Sequence, residues 1–322
     1  MVSCDTMLEQ PAASTPAVRP ARALALGAVT VTVLIWGSSN VVIKAVSTTG
    51  LVASFYRLWF AIPLLWLLPV VIPSMRRRLN RQWLNVSLAG GGLFAVHQIL
   101  FFNSLKLTSV ANVTIIGALQ PALVLVAAGR MFGEQVTSRA IGWSLVAVGG
   151  TTLVVVGSAG TPSWSPFGDT LAVVNLFAFT AYFLASKRFR THVGTSEYVL
   201  GMTTVAGLLI LAAAVLTGQE LSAPRGRDWP LLLFLALLPG TLGHFLTNWA
   251  HPHVPVFLFS VMLLAVPVIA VLGAATFLDE PLNLAQAAGG LIVLLAIGTI
   301  VRASSTPTPE ELAESAAETD AP

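Results

Sequence analysis

Polar and aromatic residues recur at helical spacing inside the long apolar stretches of this 322-residue chain. Trp36 and Asn40 are four residues apart, as are His244 and Asn248, so each pair lies on one face of a helix. Indole, amide and imidazole groups bind uncharged or zwitterionic solutes through ring contacts and hydrogen bonds. We predict a substrate-binding site formed by Trp36, Asn40, His97, Gln120, Tyr182, His244 and Asn248.

Further polar residues extend these helical faces. Thr32 precedes Trp36 by four positions, and Thr241 precedes His244 by three. An α-helix therefore places Thr241 on the same face as His244 and Asn248. Another face is predicted for Asn175, Phe179, Tyr182 and Ser186.

Each of these residues also has a structural interpretation. Amides and hydroxyls in a membrane helix commonly bond a neighbouring helix or their own backbone, and packing alone would account for Trp36. A buried imidazole is costly without a purpose, so His244 is the strongest candidate for a functional role. Arg57 lies about 9 Å inside its apolar segment at the helical rise. Its long side chain is expected to reach the membrane interface.

The sequence lacks the patterns of catalytic and metal sites. Paired carboxylates, an HExxH motif and a nucleophile elbow are all absent, so we predict that the protein is not an enzyme. His251 and His253 have no third ligand nearby in sequence, and Cys4 is the single cysteine, which predicts no metal, no cofactor and no internal disulfide. No apolar segment carries Asp or Glu near its middle. Proton coupling would then use His97 or His244, and facilitated diffusion is the alternative.

The composition is that of a membrane protein. Hydrophobic residues make up 55% of the chain and charged residues 10%, where soluble domains carry about 25% charged residues. A bilayer span needs roughly 20 apolar residues. Uncharged runs of that length, with a break at the prolines after His251, predict ten spans, near 23–43, 51–72, 82–105, 107–129, 140–157, 167–186, 198–217, 229–250, 254–278 and 283–301.

An internal repeat divides these spans into two sets of five. Pro121 is followed thirteen residues later by Glu134, and Pro267 by Glu280, so the two copies are 146 residues apart. Five spans per repeat is an odd number, so the second repeat enters the membrane from the opposite side. The glutamates lie at span ends, where we predict a structural or capping role. The domain prediction is a disordered tail at 1–20, repeats at 21–157 and 158–302, and an acidic disordered tail at 303–322.

The distribution of Lys and Arg predicts the orientation. With both termini in the cytoplasm of a plasma-membrane protein, twelve Lys and Arg residues lie inside and four, Lys44, Lys106, Arg225 and Arg227, lie outside. Membrane topology therefore accounts for the net charge of +3, and we predict no nucleic-acid partner.

The chain resembles the drug/metabolite transporter superfamily, in particular transporters with two EamA domains. The resemblance extends from Leu24 to Val301 and rests on Trp36-Gly37 with Lys44, Tyr56-Arg57, Pro121 with Gly133-Glu134, and Pro267 with Asp279-Glu280-Pro281. It implies an all-α membrane protein whose ten helices form two inverted five-helix repeats around a central cavity. Asp279 departs from the pattern of the first repeat, which has Gly133 at the matching position.

The resulting functional prediction is a transporter. It would move small organic solutes such as metabolites, amino acids or drugs, as an exporter, by alternating access. Pro121 and Pro267 each remove a backbone hydrogen bond within a span and are predicted as helix breaks that bend during transport. A non-transporting scaffold or receptor is the alternative, followed by a membrane-bound enzyme.

Overall fold

The computed structural model describes residues 18–158, 165–221, 224–277 and 282–305, and every regular element within these ranges is a helix. Nine of the described helical segments are long and apolar enough to cross a membrane. A shorter apolar segment, Val256–Leu272, lies ninth in chain order. The prediction of an all-α membrane protein with ten spans is confirmed.

The first five spans, numbered in chain order, begin at Val18. Span 1 contains Val18–Gly37 and Ser39–Ala45, and span 2 contains Gly50–Trp66 and Leu68–Val71. A short helix, Pro73–Arg78, leads into span 3. The remaining spans of this half are span 3, Arg81–Leu107; span 4, Val110–Gly117 and Gln120–Phe132; and span 5, Ser138–Ser158.

The second half has the same number of spans and ends at Ser305. Its helices are span 6, Pro166–Phe189; span 7, Thr195–Leu216; span 8, Asp228–Leu235, Ala236–Gly243 and His244–Ala250; span 9, Val256–Met262, Leu263–Ala265 and Val266–Phe277; and span 10, Leu284–Ser305. The outer helices thus reach three residues into each of the tails predicted at 1–20 and 303–322.

Side-chain caps fix where several spans begin. Thr49, Asn80, Ser109 and Ser165 each accept a hydrogen bond from the backbone N–H three residues on. These bonds satisfy helix N–H groups that have no partner within the helix. Gly133 has a φ of 66°, the left-handed conformation that ends the second helix of span 4.

The bundle is held together by close helix pairs. Span 3 packs along spans 6 and 7, and span 5 packs along span 10. A Cβ atom on Gly150 would lie 2.9 Å from the carbonyl oxygen of Gly289, and one on Gly289 would lie 2.7 Å from the carbonyl oxygen of Gly150. Spans 5 and 10 therefore approach at a distance that only glycine allows.

The two ends of the bundle carry different polar networks. At one end, called the Lys44 end here, Lys44 Nζ donates to the carbonyl oxygens of Leu105 and Thr108 at 2.9 and 2.8 Å. The backbone N–H of Ser47 donates to the carboxylate of Asp228 at 3.1 Å. The opposite end, called the Lys187 end, contains Lys187 and the start of span 9.

Candidate functional site

A cavity with an empty volume of about 970 Å³ lies between the two halves of the chain. Its lining residues come from spans 1 to 6, 8 and 9. They extend from Ile43 and Val113, near the Lys44 end, to Ser260 in the first helix of span 9. A concave site with apolar walls and a few polar groups is typical of small-molecule binding.

The structure brings the predicted site residues together in two layers. Trp36, Asn40, His97, Gln120 and His244 line the cavity, and so do both predicted helix-breaking prolines, Pro121 and Pro267. Tyr182 and Asn248 are fully buried and lie behind His244, outside the cavity wall.

The second layer holds His244 through hydrogen bonds. Tyr182 Oη lies 3.2 Å from His244 Nδ1, while Asn248 Nδ2 donates to Tyr182 Oη at 3.4 Å and to the His244 carbonyl oxygen at 2.8 Å. The phenol oxygen of Tyr182 therefore lies between the His244 ring and the Asn248 amide, and these bonds fix the orientation of the imidazole.

His97 is held by an amide oxygen. Its Nδ1 lies 2.8 Å from Oδ1 of Asn175, which is an acceptor, so Nδ1 carries the proton and Nε2 of a neutral ring is an acceptor. The ring stacks on Tyr182 with centroids 6.0 Å apart and contacts Phe179 at 4.7 Å. The cavity therefore contains two imidazoles that are both oriented by hydrogen bonds from neighbouring spans.

The interfacial position predicted for Arg57 is wrong. Its side chain is 4% exposed and lines the cavity. The guanidinium donates to Gln98 Oε1 and, at 3.3 Å each, to the carbonyl oxygens of Leu235 and Pro239. Span 8 supplies these carbonyl oxygens, so the cation has polar partners within the bundle and does not need to reach the interface.

The predicted orientation of Thr241 is also wrong. Thr241 lies in Ala236–Gly243, which is a π-helix, and its hydroxyl donates to the Ala236 carbonyl oxygen at 2.8 Å. A π-helix has i→i+5 hydrogen bonds, so the α-helical spacing from Thr241 to His244 does not apply. Trp36 Nε1 donates to the Pro239 carbonyl oxygen at 3.3 Å and so joins span 1 to this segment.

The two spans that contain the predicted helix-breaking prolines, Pro121 and Pro267, are interrupted beside them. Span 4 breaks between Gly117 and Gln120, and span 9 contains the 3₁₀ turn Leu263–Ala265. The N–H of Val266 donates to the Leu263 carbonyl oxygen, so the 3₁₀ turn satisfies the acceptor that Pro267 would otherwise leave free. Gln120 is 3% exposed, and within the described residues its Nε2 has no hydrogen-bond partner.

An ionic cluster joins spans 4, 6 and 9 at the Lys187 end. Glu134 accepts from Lys187 Nζ at 2.7 Å and from the backbone N–H groups of Val256 and Phe257 at 2.6 and 3.1 Å. Glu134 thus caps span 9, in agreement with its predicted structural role. Its counterpart Glu280 lies outside the described residues.

An apolar layer lies beside this cluster. Phe183 and Phe259 are fully buried and pack on His251, with ring centroids 4.7 and 5.2 Å from the imidazole. Burial, followed by the charges of Lys187 and Arg190, holds the pKa of His251 well below its usual value. His251 is therefore a buried, neutral residue of the Lys187 end.

The sequence profile of the EamA-like transporter family matches the chain twice, over residues 23–156 and 166–302. The chain belongs to the EamA-like transporter family. Each match contains five of the described spans, so the family's two-repeat organisation accounts for the ten.

Two curated relatives of this EamA-like chain carry exporter names. A protein of Streptantibioticus cattleyicolor named "Probable terminal-alkyne amino-acid exporter" is 33% identical over 31% of this chain and 33% of its own length. "Aromatic amino acid exporter YddG" of Ancylobacter novellus is 26% identical over 56% of this chain and 63% of its own length. The chain thus spans less than two thirds of either relative.

A solved crystal structure has the same fold. It matches 89% of this chain and 100% of its own with a TM-score of 0.74 and 17% sequence identity. This likeness concerns the fold alone.

The predicted substrate-binding set of this EamA-like chain left out several residues that line the cavity. Arg57, Gln98, Asn175 and Ser260 line the cavity beside the predicted set. Gln98 had a usable signal, because the 146-residue repeat offset aligns it with His244. The signal for Arg57 was its charge well inside an apolar segment, a position at which charged residues are usually functional.

Proposed function

We propose that this EamA-like protein exports small organic solutes, with amino acids as the main class, across the plasma membrane. The observation that carries the proposal is the cavity between the two halves, whose polar groups come from spans of both. Amino-acid export is named for both curated relatives. Donors, acceptors and aromatic rings in one cavity suit solutes with a polar head and an apolar side chain.

Alternating access around this cavity is the proposed mechanism. The cavity extends toward the Lys44 end, while the Glu134 cluster and the His251 layer close the Lys187 end. The interruptions beside Pro121 and Pro267 lie at cavity level, where bending of spans 4 and 9 would open one end and close the other.

The proposed orientation places the Lys187 end and both termini in the cytoplasm. Thr191 and Glu220 lie at opposite ends of span 7 and are both exposed. In a Cys4→Ser background, Glu220→Cys is expected to react with a membrane-impermeant thiol reagent in intact cells, and Thr191→Cys only after the cells are permeabilised. The reverse pattern would contradict this orientation.

Transport itself is tested in proteoliposomes. Vesicles containing the purified full-length protein and preloaded with unlabelled phenylalanine are expected to take up labelled phenylalanine by exchange, saturably and faster than protein-free vesicles. The variant Pro121→Ala/Pro267→Ala is expected to insert normally and exchange more slowly, because two continuous helices resist bending. Exchange equal to that of protein-free vesicles, for phenylalanine and for a panel of other amino acids, would favour a scaffold or receptor.

A further inference from the structure

Arg57 is a cation in the wall of a membrane-embedded cavity. It lies in span 2 and is 4% exposed. A guanidinium keeps its charge in proteins, and a charge at this depth is costly unless it is paired or serves a purpose such as binding a substrate. The first question is therefore what neutralises it.

The protein partners of Arg57 are all neutral. They are Gln98 Oε1, the carbonyl oxygens of Leu235 and Pro239, and the ring of Phe102, whose centroid is 5.5 Å from the guanidinium carbon. Within the part of the chain that the structure describes, Arg57 forms no ion pair. The positive charge is solvated by dipoles and is left without a counter-charge.

The guanidinium also has unused hydrogen-bonding capacity. It carries five N–H groups. Nε, Nη1 and Nη2 each donate one hydrogen bond to the protein. One N–H on each terminal nitrogen is left, which is the number that a carboxylate needs for a pair of hydrogen bonds.

Other polar groups in the cavity wall support the same ligand. The His244 imidazole lines the same cavity, with Nδ1 held 3.2 Å from Tyr182 Oη. Gln120 has a buried Nε2 with no partner among the described residues. The lining residues of the described chain include no Asp or Glu that would pair with a bound ammonium group. The polar wall thus favours a negatively charged group.

We propose that Arg57 binds the carboxylate of the transported solute, so that a carboxylate is required for binding and an α-ammonium group is dispensable. This inference rests on the proposed solute-export function and specifies which part of the solute the site recognises. The hydrogen bonds of Arg57 to span 8 position the guanidinium for this contact.

The aromatic wall determines the choice of probes. Trp36, Phe101 and Phe179 line the cavity, so probes with a phenyl ring are suitable. Phenylalanine carries both charged groups, 3-phenylpropionate carries only the carboxylate, and 2-phenylethylamine carries only the ammonium. Binding is measured as thermal stabilisation of the purified full-length protein in detergent, which depends on affinity and not on transport.

Phenylalanine and 3-phenylpropionate are expected to bind and stabilise the wild-type protein. The affinity for 2-phenylethylamine is expected to be weaker by about tenfold or more, because it cannot form the charge-assisted hydrogen bonds. Arg57→Gln is expected to weaken binding of both carboxylates by about tenfold or more and to leave 2-phenylethylamine unchanged. Arg57→Lys keeps the charge and is expected to bind the carboxylates with intermediate affinity.

Equal binding of 2-phenylethylamine and 3-phenylpropionate would overturn the proposal, as would failure of all three probes to bind the wild-type protein. An equal loss of binding for all three probes in both Arg57 variants, with a lowered melting temperature, would assign Arg57 a structural role only. Carboxylate binding in a protein that fails the vesicle exchange assay would refute the export function and leave this inference standing.

Discussion

Replacement of His244 by alanine is expected to lower amino-acid exchange in proteoliposomes by about tenfold or more at equal protein content. The ring lines the cavity and lies 5.1 Å from Trp36 and 4.7 Å from Phe94, centroid to centroid. Its removal deletes one hydrogen bond to the solute, worth about 1 kcal/mol or more. It also removes the imidazole partner of the buried Tyr182 hydroxyl. The measurement is initial exchange rate against pH.

Two variants make this result specific. His253→Ala removes an exposed histidine just beyond the same span, which is hydrogen-bonded to the Trp249 carbonyl oxygen, and is expected to leave exchange unchanged. Tyr182→Phe keeps the ring and removes the hydroxyl that orients His244, so an intermediate rate is expected. If His244 carries the coupled proton, the pH dependence of exchange flattens in His244→Ala. Wild-type exchange with an unchanged pH profile would remove His244 from the site.

Replacement of Glu134 by alanine is expected to destabilise the closed Lys187 end by about 3 kcal/mol. The carboxylate accepts from Lys187 and from the first two N–H groups of span 9, and the side chains of Glu134 and Lys187 are 14% and 15% exposed. Alanine leaves the N–H groups of Val256 and Phe257 without this acceptor where water has little access. Lys187, which also donates to the Val254 carbonyl oxygen at 3.0 Å, loses its counter-charge. The expected result is a lower melting temperature in detergent and reaction of a cysteine at Val256 with thiol reagents.

The ion pair has its own control. Lys187→Met removes the cation and keeps a long apolar side chain that can pack on Phe132, whose ring lies 5.2 Å from Lys187 Nζ. Because Glu134 and Lys187 are in contact, the double variant Glu134→Ala/Lys187→Met is expected to lose less stability than the two single variants added together. Additive losses, or an unchanged melting temperature in Glu134→Ala, would show that the cluster does not hold this end closed.

The span arrangement could be predicted because it follows from simple lengths. Uncharged runs of about 20 residues have to be helices in a bilayer, and the prediction of 229–250 for span 8 compares with Asp228–Ala250 in the structure. The site was harder to predict. Helical spacing shows which residues share a face of one helix. It does not show that His244 lines the cavity while Tyr182 lies behind it and contacts it.

Arg57 and Thr241 illustrate two limits of sequence interpretation. The position of a charged side chain depends on hydrogen-bond acceptors from distant segments of the chain. Leu235, whose carbonyl oxygen accepts from Arg57, is 178 residues away in sequence. The π-helix at Ala236–Gly243 changes the residue period inside an otherwise α-helical span. Proline and glycine within a span do not reveal which kind of break forms.

The π-helix of span 8 separates the orientation of His244 from the regular α-helical register of the chain before it. Its i→i+5 hydrogen bonds accommodate one residue more than the α-helix would, and each residue of an α-helix turns by about 100°. Loss of one residue between Ala236 and Gly243 would therefore allow a regular α-helix to form while His244 stays beside Tyr182. A regular α-helix formed without that loss would instead rotate the residues after it by about 100° and turn His244 away from the cavity. This segment is thus a place where the chain can lose one residue and keep its solute-facing group.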